Sequence, residues 1–132
     1  MRETGELSEE IQGFIRNYLD SLEELEILLL LHSQSGTDWT VQSVNESIRS
    51  SMNSVQQRLE KLRSAGFLSF DASQRIYRYS PATAELAKTV DLLSNAYREK
   101  RLKCIEAIFS KPVHDIRSFS DAFRLRGKKP HG

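Results

Sequence analysis

The stretch V55-QQRLEKLRSAGFLS-F70 decides the fold, because its pattern changes half way along. Val55, Leu59 and Leu62 recur at helical spacing. Gly66 then interrupts, and Phe67, Leu68 and Phe70 follow as a short apolar, strand-like run. Glycine accepts the left-handed conformation of a helix terminus, so it predicts a sharp exit from the helix. The helix also keeps a polar face whose purpose the rest of the chain must explain.

Downstream, Arg75–Ser80 reads as a second strand. Asp71-Ala-Ser-Gln74 lies between the two as a hairpin loop of about four residues, and Pro81 closes the pair. Upstream, Thr40 suits the cap of a helix in WTVQSVNESIRS, with Val41, Val44 and Ile48 facing inward. The serines and Asn53 of positions 50–54 suit a tight turn and a fresh cap. Further back, Ser8 with Glu9 and Glu10 starts a helix carrying Ile11, Phe14 and Ile15. Ser21 and Glu24 have capping-box spacing at the head of another, whose Leu22–Leu31 stretch is apolar nearly all round and therefore covered on several sides. Beyond the hairpin, Leu86, Val90, Leu93 and Tyr97, then Leu102, Ile105, Ile108 and Phe109, predict one helix of roughly 40 Å, ended by Lys111-Pro112. Ile116, Phe119 and Phe123 suggest a short final helix before the basic tail RLRGKKPHG.

Composition bounds the classes. The chain has 132 residues, 39% hydrophobic and 28% charged, about one domain of ordinary soluble protein. The single Cys104 allows no internal disulfide and suits a reducing compartment. The longest apolar run, Ile27 to Leu31, is far short of the roughly 20 residues that cross a bilayer. MRETGELSEE does not resemble a secretory signal. A cytoplasmic protein with no membrane partner is expected. The net charge of +1 conceals a gradient from an acidic beginning to a basic end. Residues 1–31 hold two basic and eight acidic side chains, and residues 98–132 hold ten basic and four acidic. Such asymmetry suits an anionic partner for the basic end, or pairing of the two ends with each other.

Ile48, Ser51, Ser54, Val55, Leu59, Leu62, Ala65, Gly66, Phe67 and Leu68 stand at the spacing of a winged helix-turn-helix. Residues 40–81 resemble that of bacterial transcription regulators, broadly the MarR and ArsR groups. Asn45 stands where a small residue is usual, Arg49 where glycine is usual and Ser50 where an apolar residue packs. Met52 is expected to supply that packing. The resemblance implies a mainly α (α+β) fold in three parts: N-terminal helices in residues 1–36, helix-turn-helix and two-stranded wing in 37–81, and C-terminal helices with a basic tail in 82–132. It further implies a sequence-specific regulator that binds double-stranded DNA through a recognition helix at about 51–64 and a wing at about 67–80.

Helix-turn-helix proteins set the start of this helix against base edges. Ser51, Asn53, Ser54, Gln57 and Arg58 are the outward candidates, because Asn and Gln match adenine, Arg guanine, and Ser either phosphate or base. Arg49 and Lys61 are candidates for phosphates, as is Arg63; in the wing Gln74, Arg75 and Arg78 are candidates for backbone or minor groove. Bland readings stand beside these: a solvated helix face, and edge-strand charges that block aggregation at Arg75 and Arg78. Tyr77 and Tyr79 support the core and wing, Trp39 anchors the entry to its helix, and Cys104 is a structural thiol.

No catalytic set emerges. His32, His114 and His131 lie apart, without metal-ligand spacing. No phosphate-binding glycine loop occurs, and no enzyme, metal or cofactor is expected. The apolar stripe after the wing needs a cover, supplied either by the N-terminal helices of the same chain or by a second copy in a homodimer. The alternative function is a winged-helix module for protein–protein contact without DNA binding, its anchors Phe119 and Phe123 in the C-terminal segment.

Overall fold

The computed structural model describes residues 6–110; the suggested final helix, the Phe119 and Phe123 anchors and the basic tail lie outside them. Within that span six helices surround one two-stranded antiparallel sheet, a mainly helical α+β arrangement.

Each of the first helices starts where a hydroxyl satisfies an orphan amide. In α1 (Glu9–Tyr18) the Ser8 hydroxyl accepts from the Ile11 N–H at 3.2 Å, and Ile11, Phe14 and Ile15 face the core. In α2 (Leu22–Ser33) Ser21 accepts from Glu24 N–H at 3.1 Å. The predicted reciprocal half of that capping box is not made. The Glu24 carboxylate turns instead toward α4 (Met52–Ser64), where it meets Lys61 and Arg58. Leu25, Ile27, Leu28 and Leu31 are fully buried, so α2 is the central rod, flanked by α3 (Val41–Ile48), α4 and α5 (Ala84–Glu99).

A complete capping box opens α3: Thr40 accepts from Ser43 N–H at 3.0 Å, and Ser43 accepts from Thr40 N–H at 2.9 Å. The helix ends at Arg49 with φ 64°, the left-handed region in which glycine is at ease. The two unusual neighbours answer each other, for the Asn45 side-chain oxygen accepts from the Ser50 N–H at 2.9 Å. Met52 does not fill the gap as expected. It is 48% exposed, and the turn is held by Asn45 rather than by packing.

The opening stretch resolves into a Schellman motif. Gly66, at φ 99°, donates its N–H to the Arg63 carbonyl, and Phe67 donates to the Leu62 carbonyl, both at 3.0 Å. Phe67 and Leu62 are fully buried, and Phe67 meets the rings of Phe14 and Tyr18 edge-on at 5.6 and 5.5 Å. The left-handed glycine thus swings Phe67 under α1 as the chain enters β1 (Leu68–Asp71).

β1 pairs with β2 (Ile76–Tyr79), Asp71 opposite Ile76, which shifts the loop by one residue to 72–75. Asp71 closes it by accepting from the N–H groups of Ser73 at 2.9 Å and Gln74 at 3.3 Å, and Arg75 takes φ 58°. Trp39 adds a bridge outside β2, its backbone exchanging two hydrogen bonds with Tyr77.

The predicted 40 Å rod is two helices. α5 stops at Lys100 (φ −135°, ψ 53°) and α6 (Arg101–Phe109) starts at once. No glycine or proline marks the break; tertiary contact does. Both helices pack on α1 and on each other, and the Lys100 ammonium donates to the Glu6 carbonyl at 3.2 Å. Val90, Leu93, Cys104 and Ile108 are buried there, so the chain's own N-terminal helix covers part of the stripe, while Leu102 and Phe109 remain 63% and 72% exposed.

Candidate nucleic-acid interface

At 100° per residue, the buried line Val55, Leu59 and Leu62 divides the rest of α4 into three strips. One flank carries Ser54, Arg58 and Lys61. The other carries Met52, Gln56 and Arg63. Asn53 and Gln57 stand roughly opposite the core.

The first flank faces α2 and is occupied. Ser54 donates its hydroxyl to Glu23 at 2.8 Å. Arg58 lies 3.8 Å from Glu23 and 3.5 Å from Glu24, and Lys61 pairs with Glu24 at 3.3 Å and with Asp20. Glu24 is fully buried, so its carboxyl is pushed up by burial while Lys61 pulls it back, with a net rise. Ser54, Arg58 and Lys61, expected to point outward, are therefore half-buried partners of an acidic row. A sequence that shows α4 alone cannot tell which flank meets that row.

The other flank borders an open groove of ≈ 740 Å³ between the start of α3, α4 and the hairpin. Met52, Gln56, Phe70, Gln74 and Arg75 line it. On its floor Glu60 accepts from Arg63 at 2.7 Å and from the Tyr77 hydroxyl. These two donors hold the Glu60 carboxyl below its usual range, and burial with the Glu60 contact raises the Tyr77 hydroxyl. Arg63 also lies over the Phe70 ring, 5.5 Å from its centre. Met52 and Gln56 were missed in the sequence, although their place on the wheel beside the Val55 line marked them.

The remaining candidates separate clearly. Asn53 and Gln57 are exposed, and their amides have no partner among the described residues; the same holds for Gln56. Ser51 is exposed but its hydroxyl caps α4, accepting from Ser54 N–H at 3.1 Å. Gln74 and Arg75 occupy the hairpin tip. Arg78 is exposed yet paired, its Nε 2.8 Å from Asp38. Arg49 and Arg75 make no ion pair with another described residue, and they are the non-glycine residues that the described chain holds at positive φ.

Other chemistry finds no assembly. Among the described residues no cluster of His, Cys, Asp and Glu stands where it could hold a metal, and no helix is long and apolar enough to cross a membrane. Cys104 is buried. His32 contacts Asp91 at 2.8 Å and meets the Tyr79 ring edge-on; burial, with Asp91 nearby, pushes the Tyr79 hydroxyl up to about 12. His114 and His131 fall outside the described residues.

Compared with protein-family models, curated proteins and solved structures, the chain finds no match. The functional reading accordingly rests on this geometry.

Proposed function

We propose that the chain is a winged helix-turn-helix protein that binds double-stranded DNA to regulate transcription, with α4 as recognition helix and the β1–β2 hairpin as wing. One observation carries the reading. The exposed, unpartnered amides at the start of α4 follow exposed Arg49 in the turn before the helix, and exposed Arg75 stands at the hairpin tip; both arginines hold a backbone conformation that costs non-glycine residues energy. A helix terminus and a short hairpin loop each call for a left-handed residue, and at both of these turns the residue is an arginine that makes no ion pair with another described residue. Asn53, Gln56 and Gln57 read base edges, Arg49 positions the turn on a phosphate, and Gln74 and Arg75 reach the backbone or minor groove beside it.

The test is selection of genomic fragments by the purified chain at two salt concentrations. Enrichment of a common motif, with affinity falling as salt rises, supports the reading. Retention of every fragment equally, or of none, refutes it. The selected motif also reports stoichiometry, since one copy covers one half-site and a homodimer two about one turn apart.

Protein contact without DNA is favoured by one fact: Met52, 48% exposed, offers an apolar group to the groove. That reading predicts a bound protein and an affinity indifferent to salt.

A further inference from the structure

We propose that α4 reads an A·T-rich half-site, with Asn53, Gln56 and Gln57 engaging adenine and Met52 engaging thymine methyl groups; this rests on the DNA-binding reading and specifies its target. Guanine is read most often by Arg or Lys, bidentate to O6 and N7. The α4 cations are committed elsewhere. Arg58 and Lys61 are turned to Glu23 and Glu24 on α2 and to Asp20 just before its cap, Arg58 lying 3.8 Å from Glu23. Arg63 is held by Glu60 at 2.7 Å and lies over Phe70, twelve residues past the Ser51 cap, roughly 18 Å along the axis. No guanidinium or ammonium of α4 remains on the face that carries Asn53 and Gln57.

What remains is amide and thioether. A primary amide presents a donor and an acceptor side by side, the complement of adenine N6 and N7. Three such groups lie within five residues, Asn53 to Gln57, all exposed. Just before them Met52 exposes 48% of its surface, although an apolar side chain gains nothing from water. The thymine C5-methyl is the one apolar group on a major-groove edge. Arg75 fits the same target, because A·T tracts narrow the minor groove and attract arginine into it.

The experiment selects from a random duplex library with the full chain, then replaces bases in the selected site. A·T pairs should dominate the half-site. Replacing its adenines by 7-deaza-adenine, which lacks N7, should weaken binding about 5- to 150-fold. Replacing thymine by uracil should weaken it about fourfold, the worth of one methyl group. Met52→Ala, at an exposed position, should erase the thymine–uracil difference and leave the 7-deaza effect intact. A motif dominated by G·C pairs overturns this proposal while the DNA-binding reading survives. Binding without any enriched motif overturns it too. No binding to any duplex overturns both.

Discussion

Replacing Arg49 by glycine separates what the residue does for the fold from what it does for the ligand. Arg49 ends α3 at φ 64°, and a left-handed non-glycine residue is disfavoured by about 1–2 kcal/mol. Glycine removes that strain but loses about 0.5–1 kcal/mol through the greater freedom of its unfolded chain. Its N–H still donates to the Asn45 carbonyl at 2.7 Å, so the turn is kept. The net expectation for Arg49→Gly is a gain of about 0.5–1 kcal/mol, roughly 2–4 °C in Tm. DNA binding should move the other way. Losing one phosphate contact should shrink the slope of log K against log salt by about 0.9. Arg49→Ala is the control, since it removes the charge and keeps the strained backbone; it should lose the same slope and gain no stability. Thermal unfolding and a salt titration of both variants decide the matter. If Arg49→Gly is less stable than the parent, or if Arg49→Ala is stabilised equally, strain is not what the turn stores.

Gly66→Ala has room, its new methyl 3.5 Å from Ala82 and Leu86, yet must adopt φ 99°; it should cost about 1–2 kcal/mol in chemical denaturation. Arg58→Ala should lower stability by about 1–3 kcal/mol by leaving Glu23 and buried Glu24 short of a partner, with the DNA salt slope unchanged; a smaller slope would return Arg58 to the duplex. Glu24 has a raised folded-state pKa, so the folded chain takes up its proton before the unfolded chain does, and this group's contribution to stability rises as pH falls through the folded pKa toward the unfolded value near 4.5. The stability of the parent relative to Glu24→Gln should therefore grow from pH 7.5 to pH 5, measured by urea unfolding; a difference that shrinks would mean the carboxyl is stabilised in its charged form.

Local chemistry was legible, and tertiary choice was not. Ser8, Ser21 and Thr40 announced their helices because a hydroxyl cap is written in one residue. Gly66 announced the corner because only its conformation permits the two Schellman bonds. Arg49, with no glycine to mark it, adopts the left-handed conformation where α3 ends. The break at Lys100 left no local trace, since the sequence around it continues the helical period. It arises because α5 and α6 must both close on α1, which a straight rod cannot do. The interface failed in the same way. The sequence marks Val55, Leu59 and Leu62 as the buried line of α4, but which flank meets Asp20, Glu23 and Glu24 depends on how the α2 segment crosses α4, so nothing local shows that Ser54, Arg58 and Lys61 turn toward that row.

The acidic row of α2 has a consequence for how affinity is divided. On the proposed DNA-binding reading, its hold on Arg58 and Lys61 makes α4 a largely uncharged reader, with Arg49 and Arg75 as the cations without a described ion pair nearest to it in sequence. Two phosphate contacts give a salt slope of only about −2, too shallow for strong non-specific binding. Discrimination must then come from base contacts, which suits a site-selective protein better than one that coats DNA. The cations beyond residue 110 are candidates to steepen the slope, since Arg124, Arg126, Lys128 and Lys129 lie close together in sequence. Replacing those four by alanine in the full chain measures their share directly. If all four contact phosphates the slope falls by about 3.6, weakening every duplex alike; if none does, it stays where Arg49 and Arg75 put it, and the preference among sequences is unchanged in both cases. A preference that altered with the tail would place base reading outside α4 and refute this division.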